Sequence, residues 1–203
     1  MRKIGEGVAV TDRRGWWAAV ALLAGTVGQL LVATLVPGLP QFEGKAMTGR
    51  ALVYPLAAVI VPLGWWLYGR RRSDRYPYAL DILLVLPFLI DVVGNALDLY
   101  DKIDWWDDAN HFVNWALLVA AFGQLLVRLP VGRVAAVGLA IGFGAVSAIV
   151  WEVAEYFAFI RDSSELDTAY TDTLGDLVLG TSGSVVAALI TAWLWPRLRS
   201  TAI

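Results

Sequence analysis

Apolar residues run in six long blocks separated by short stretches rich in Pro, Gly, Arg and Asp. The blocks cover residues 15–36, 51–68, 79–97, 109–127, 134–159 and 174–195. Each is close to the ~20 residues a helix needs to cross the hydrocarbon core of a bilayer. The first ends at Pro37-Gly38 and is longer than the ~7–15 apolar residues of a secretory signal, so it reads as a span and not a cleaved leader. The connections leave no room for a soluble domain between blocks. The pattern predicts an all-α fold: a polytopic bundle of six transmembrane helices, one integral membrane domain over residues 1–203.

Composition strengthens this picture. The chain is 58% hydrophobic and 17% charged, where a soluble domain is about half apolar and about a quarter charged. A soluble enzyme and a secreted disulfide scaffold are thereby excluded. With a net charge of -2 and no concentrated basic face, nucleic acid is excluded as a partner. The absence of cysteine removes disulfides, thiolate nucleophiles and Cys-ligated metals.

Charge also orients the bundle. Arg2, Lys3, Arg13, Arg14, the Arg70–Arg75 cluster, Arg128, Arg133, Arg197 and Arg199 fall on one side, twelve of the 16 basic residues. Lys45, Arg50, Lys102 and Arg161 fall on the other. Basic loops stay in the cytoplasm, which predicts two cytoplasmic termini in a bacterial plasma membrane. Trp16-Trp17, Trp65-Trp66, Trp105-Trp106, Trp193 and Trp195 read mainly as anchors at the headgroup level.

Small residues mark helix contacts. Gly138 and Gly142 form a G-x-x-x-G step, and Ala140, Gly144 and Ala148 continue a ridge. Gly180 with Ser184, and Gly183 with Ala187, repeat the spacing. Such ridges let backbones approach closely in lipid. Gly180-Thr181-Ser182-Gly183 also matches the G-x-S-G of intramembrane rhomboid proteases. A nucleophilic serine needs a base within hydrogen-bond reach, yet Ser182 lies six residues past Asp176, about 9 Å deeper at 1.5 Å per residue. The only histidine lies level with Asp176, so this tract reads as packing.

The carboxylates carry the chemical signal. Twelve of the 18 acidic residues lie in or beside two outward-facing connections, the third-to-fourth and the fifth-to-sixth. Asp91, Asn95 and Asp98 follow i, i+4, i+7 on one face of the third helix; Asp107, His111 and Asn114 line the start of the fourth. Glu152 and Glu155 are i, i+3 late in the fifth, and Asp172 and Asp176 are i, i+4 early in the sixth. Outward helices bring such pairs to their C-terminal ends and inward helices to their N-terminal ends, so all four present polar faces to the same leaflet. A carboxylate at the bilayer centre costs ~2.5–3.5 kcal/mol, and an intramembrane ionisable residue is a site hypothesis by default.

Three things neutralise such a cluster: a metal, shared protons, or a cationic group of a substrate. Paired carboxylates on facing helices are how bundles build metal sites. The metal ligands expected are Asp107, His111, Glu152, Glu155, Asp172 and Asp176. Oxygen-rich ligation favours a divalent cation such as Mg, Ca or Mn, with di-iron ranked behind them and Zn disfavoured. In an enzyme, His111, Glu152 and Glu155 would be catalytic and Asp91, Asn95, Asp98 and Asn114 would contact substrate.

Three stretches carry a family likeness: Tyr100-Asp101 through Trp105-Trp106-Asp107-Asp108-Ala109-Asn110-His111-Phe112, then Trp151-Glu152-Val153-Ala154-Glu155-Tyr156, then Asp172-Thr173-Leu174-Gly175-Asp176-Leu177. They resemble the YjdF-like family of bacterial inner-membrane proteins. More distantly, Asp107, His111, Phe112, Glu152 or Glu155, Asp172, Asp176 and Gly180 resemble the pattern of VanZ-like proteins, with Asp108 where those carry Lys. VanZ-like proteins are associated with low-level glycopeptide resistance, so that resemblance implies work at the outer envelope surface. The leading expectation is an extracytoplasmic site that binds or modifies a membrane lipid or lipid-linked envelope component with a divalent cation. The alternatives are a proton- or cation-coupled small transporter and a structural protein whose polar cluster is only a hydrogen-bond network.

Overall fold

The computed structural model describes residues 5–69 and 75–202. Arg2, Lys3, Arg70, Arg71 and Arg72, which enter the orientation argument, lie outside the described residues. Every long apolar block forms a helix. They are α1 (Gly5–Leu35), α2 (Met47–Ala58) with α3 (Ile60–Gly64), α4 (Tyr78–Ala96), the short α5 (Leu99–Lys102), α6 (Trp106–Leu126), α7 (Arg133–Glu155) and α8 (Ala169–Ala202). A π-helical turn over Trp65–Gly69 extends α3, and a second over Tyr156–Ile160 extends α7. The α2–α3 junction falls at Val59, where Pro62 has no N–H to offer Ala58 and the helical ladder is interrupted.

Among the described residues, five helical runs are long and apolar enough to cross a membrane: Arg13–Leu35, Met47–Gly69, Tyr78–Ala96, Arg133–Ile160 and Ala169–Ser200. The expected fourth span, α6, differs. It has 21 residues, about 31 Å at 1.5 Å per residue, but its first turns carry Asp107, Asp108, Asn110, His111 and Asn114. It is the most polar of the long helices at one end and is also the central one, packed against α4, α7 and α8. Helix α1 packs on α2 and α4, and α7 on α8.

At one end of the bundle, Val119, Leu126 and Val127 of α6 and its following turn meet Ala136 and Ala140 of α7 and Ala187, Ala188 and Trp195 of α8. Close approach needs missing side chains. A Cβ on Gly183 would strike the backbone carbonyl of Phe112 in α6, and one on Gly144 would strike Ser184 of α8. Ser184 Oγ itself donates to Gly180 O at 2.7 Å. The tract around Ser182 is therefore a helix-packing surface, as its spacing implied.

Two expectations need correction. Gly138 and Gly142 meet nothing, whereas Ala140, Gly144 and Ala148, the ridge that continues their spacing, are buried together with Ala136, two residues along the helix from the G-x-x-x-G pair, and Gly144 meets Ser184 of α8. Trp195 is no headgroup anchor but core, only 7% exposed. Trp16, Trp17, Trp66, Trp105 and Trp193 are exposed, as interfacial anchors should be.

Candidate carboxylate–histidine site

Antiparallel helices bring distant residues to one end of the bundle. The last turns of α4, the first turns of α6, the last turns of α7 and the first turns of α8 meet there, opposite the apolar cluster around Val119 and Trp195. His111, in the second turn of α6, sits at the centre. Its Nδ1 lies 3.6 Å from Glu152 Oε1, and its Nε2 lies 3.6 Å from Asp176 Oδ1 and 3.7 Å from Asp107 Oδ1. The side chains of His111, Glu152 and Asp176 are 7%, 6% and 4% exposed, whereas Asp107 is 45% exposed. Glu155 completes the set: the ligand atoms of His111, Glu152 and Glu155 lie within 4.8 Å of one another, as do those of Asp107, His111 and Asp176.

These spacings are informative. A hydrogen bond to imidazole nitrogen needs about 2.7–3.2 Å. Donor atoms sharing one ion at about 2.1 Å stand about 3.0–3.4 Å apart, since that is the edge of an octahedron or tetrahedron of such bonds. Among the described residues, His111 Nδ1, Glu152 Oε1, Asn114 Oδ1 and Trp106 Nε1 are buried without a hydrogen-bond partner. Orphaned buried polar groups are rare because each forfeits its hydration, about 1–3 kcal/mol and more when charged.

A second network borders the first. Asp91 of α4 accepts from Arg50 Nε at 2.8 Å, Tyr54 Oη at 2.6 Å, Tyr100 Oη at 2.9 Å and Asn95 Nδ2 at 3.2 Å. Arg50 also donates to the Lys45 carbonyl. Burial, with Asp91 beside it, pushes the Tyr100 hydroxyl well above its ordinary range, so it stays a donor. At the same end, the Nζ of Lys45 bonds Asp101 of the short α5 at 2.9 Å and holds that carboxyl below its ordinary value. A cavity of about 100 Å³ lies between the two networks. Arg50, Tyr54, Asp91 and Tyr100 line one wall; Asp107, Asn110, His111, Asn114 and Glu155 line the other; Phe88, Trp115 and Trp151 supply apolar surface.

The structure thus gathers Asp107, His111, Glu152, Glu155 and Asp176, as the helical spacings indicated. Asp172 is not gathered: it is exposed and belongs to neither ligand group, standing one turn nearer the start of α8 than Asp176. Asp98 leaves the α4 face altogether. Helix α4 ends at Ala96, and Asp98 takes a left-handed φ of 59° and pairs with Lys102 at 3.2 Å. Asp91 borders the cavity but its oxygens are taken up by Arg50 and the tyrosines. Asn95 binds Asp91 and lines no cavity wall, while Asn114 donates to Asn110 at 3.1 Å and does line the cavity.

Spacing along the chain gives no site signal for Arg50, Tyr54 or Tyr100. Arg50 falls among the loop cations, although it stands at the threshold of an apolar block, where an ionisable residue calls for a partner. That partner, Asp91, is 41 residues away, and no local spacing announces it.

Comparison with known proteins returns the same class. The chain is 30% identical over 166 residues to an uncharacterised protein of Thermotoga maritima, covering 71% of this chain and 84% of that one. No solved structure matches it. The family model described as "Predicted membrane protein (DUF2238)" matches residues 22–197, a span that takes in the apolar helices and both polar networks. The chain therefore belongs to the DUF2238 family of predicted membrane proteins.

Proposed function

We propose that this protein is a six-span bacterial inner-membrane protein with cytoplasmic termini, whose extracytoplasmic site holds a divalent cation and binds or modifies a lipid or lipid-linked envelope component. The observation that carries this reading is His111 Nδ1 standing 3.6 Å from Glu152 Oε1, both buried and unpartnered, with Asp107 and Asp176 3.6–3.7 Å from the other ring nitrogen. Too long for a hydrogen bond and near the edge of a coordination polyhedron, the Nδ1–Oε1 spacing fits two ligands of one ion. The oxygen-rich set favours Mg, Ca or Mn. Such a cation would polarise a phosphoryl or carbonyl oxygen. A glutamate of the cluster would move protons there. The order Asp107, His111, Glu152, Asp176, Gly180, similar to the VanZ-like pattern, adds weight to an envelope role.

The transporter reading has less behind it. A path through the bundle would cross the cluster of Val119, Leu126, Ala140, Ala187 and Trp195, which is apolar and closely packed. The buried carboxylate towards the other end, Asp81, is bonded to Tyr76 at 2.6 Å and stands apart from the cavity.

Metal content of the detergent-purified, chelator-free protein tests the proposal. One divalent cation per chain, lost in Glu152→Gln with the fold retained, is the expected result. A folded wild type that takes up no Mg, Ca or Mn at saturating concentration overturns it.

A further inference from the structure

The reading above leaves open which side of the imidazole holds the cation. A neutral imidazole has one lone pair and one N–H, so a single His111 cannot ligate equally through both nitrogens. The two sides differ in two ways. Of the orphaned buried atoms, His111 Nδ1 and Glu152 Oε1 face each other on the Nδ1 side. The Nε2 side includes Asp107, whose side chain is 45% exposed and so has water to satisfy it. Glu155 shares a ligand group with His111 and Glu152 and lines the cavity, as Asp107 does.

We propose that the cation is bound asymmetrically, by His111 Nδ1, Glu152 and Glu155, and that Asp107 and Asp176 are positioning residues that receive the Nε2–H. This rests on the cation reading of the same site. A carboxylate behind a ligating histidine fixes its tautomer and raises its basicity; Asp107 and Asp176, 3.6–3.7 Å from Nε2, are the carboxylates on that side, about 0.5 Å beyond hydrogen-bond reach, and they close on the N–H once the ion fixes the ring. Three protein ligands leave a hard cation about three positions short of six. The adjoining cavity of about 100 Å³ has room for about three waters at about 30 Å³ each. An oxygen-donor headgroup displacing those waters would meet the cation on one side and the Arg50 and Tyr100 wall on the other. The ligand class is therefore a small oxygen-bearing headgroup.

The chain has a single histidine, so isotope-labelled histidine marks one site. Mn²⁺ is the probe, bound to the full-length protein in detergent and read by pulsed electron paramagnetic resonance with ¹⁵N placed at Nδ1 or at Nε2. Directly bound nitrogen is expected at Nδ1. In variants, Glu152→Gln and Glu155→Gln should abolish Mn²⁺ binding. Asp176→Asn should keep one Mn²⁺ and its nitrogen coupling with affinity reduced about 10–100-fold, and Asp176→Glu should recover most of the loss. Coupling to Nε2, or binding that survives Glu152→Gln but not Asp176→Asn, overturns the assignment while leaving a cation site in place. A folded wild type that binds no Mn²⁺ overturns both. The labelled wild-type measurement decides the question even if a variant fails to fold.

Discussion

Asp91 shows how a single buried charge is made tolerable. It is 7% exposed and receives donors from α2, α5 and its own helix, so its charge is spread over a guanidinium, two phenols and an amide. Removing one partner of a buried ion pair leaves the other uncompensated, at a cost of about 3–5 kcal/mol. Arg50→Ala should therefore destabilise the protein by about that amount. Tyr54→Phe removes a neutral donor and should cost about 1–2 kcal/mol. Reversible unfolding in mixed micelles measures both, and equal small losses for the two would show that the ion pair does not hold α2 to α4. His111 is the contrasting case. Its polar neighbours are close but unbonded, which is costly unless something else occupies the space between them.

At the scale of the helix, contact is decided by where side chains are missing. Both Gly142 and Gly144 lie in α7, two residues apart, yet only Gly144 faces α8. Gly144→Leu should force α7 and α8 apart and cost about 1–3 kcal/mol or more, as overpacking does. Gly142→Leu should change stability by no more than about 0.5 kcal/mol, because its side chain would enter open space. A thermal-shift comparison of the two checks this, and a larger loss for Gly142→Leu would reverse the assigned seam. The π-helical turn at Tyr156–Ile160 begins directly after Glu155. Such turns are frequent at functional sites, and this one ends the regular helix just past Glu155, the last gathered carboxylate of α7.

For the whole molecule, the bundle separates two chemistries along its length: polar networks at one end, apolar packing at the other. Basic residues flank the apolar end, with Arg128, Arg133, Arg197 and Arg199 on α6–α8, as expected of a cytoplasmic face. Since the chain has no cysteine, single-cysteine variants report sidedness without background. In intact spheroplasts, Asp104→Cys should react with a membrane-impermeant maleimide. Leu129→Cys should react only after the membrane is opened. The reverse pattern would place the carboxylate–histidine site in the cytoplasmic leaflet.

Legible in the sequence alone were the helical class, the place of each long helix, and the meeting of Asp107, His111, Glu152, Glu155 and Asp176; the helix ends were not, since α1 begins ten residues before its apolar block and α8 runs seven residues past its own. Apolar blocks of spanning length, and polar residues three or four apart on helices of alternating direction, are local signals that survive folding. Tertiary structure alone decided the rest. It left Asp172 exposed a turn above Asp176 and put Asp98 in a turn beyond α4, left Gly138 and Gly142 facing nothing while Gly144 met α8, and supplied Arg50 and two tyrosines to Asp91. These depend on where each helix ends and how it is rotated against its neighbours, which is set by packing across the bundle and not by spacing along the chain. The two sides of His111 differ for the same reason: burial and cavity access belong to the assembled helices.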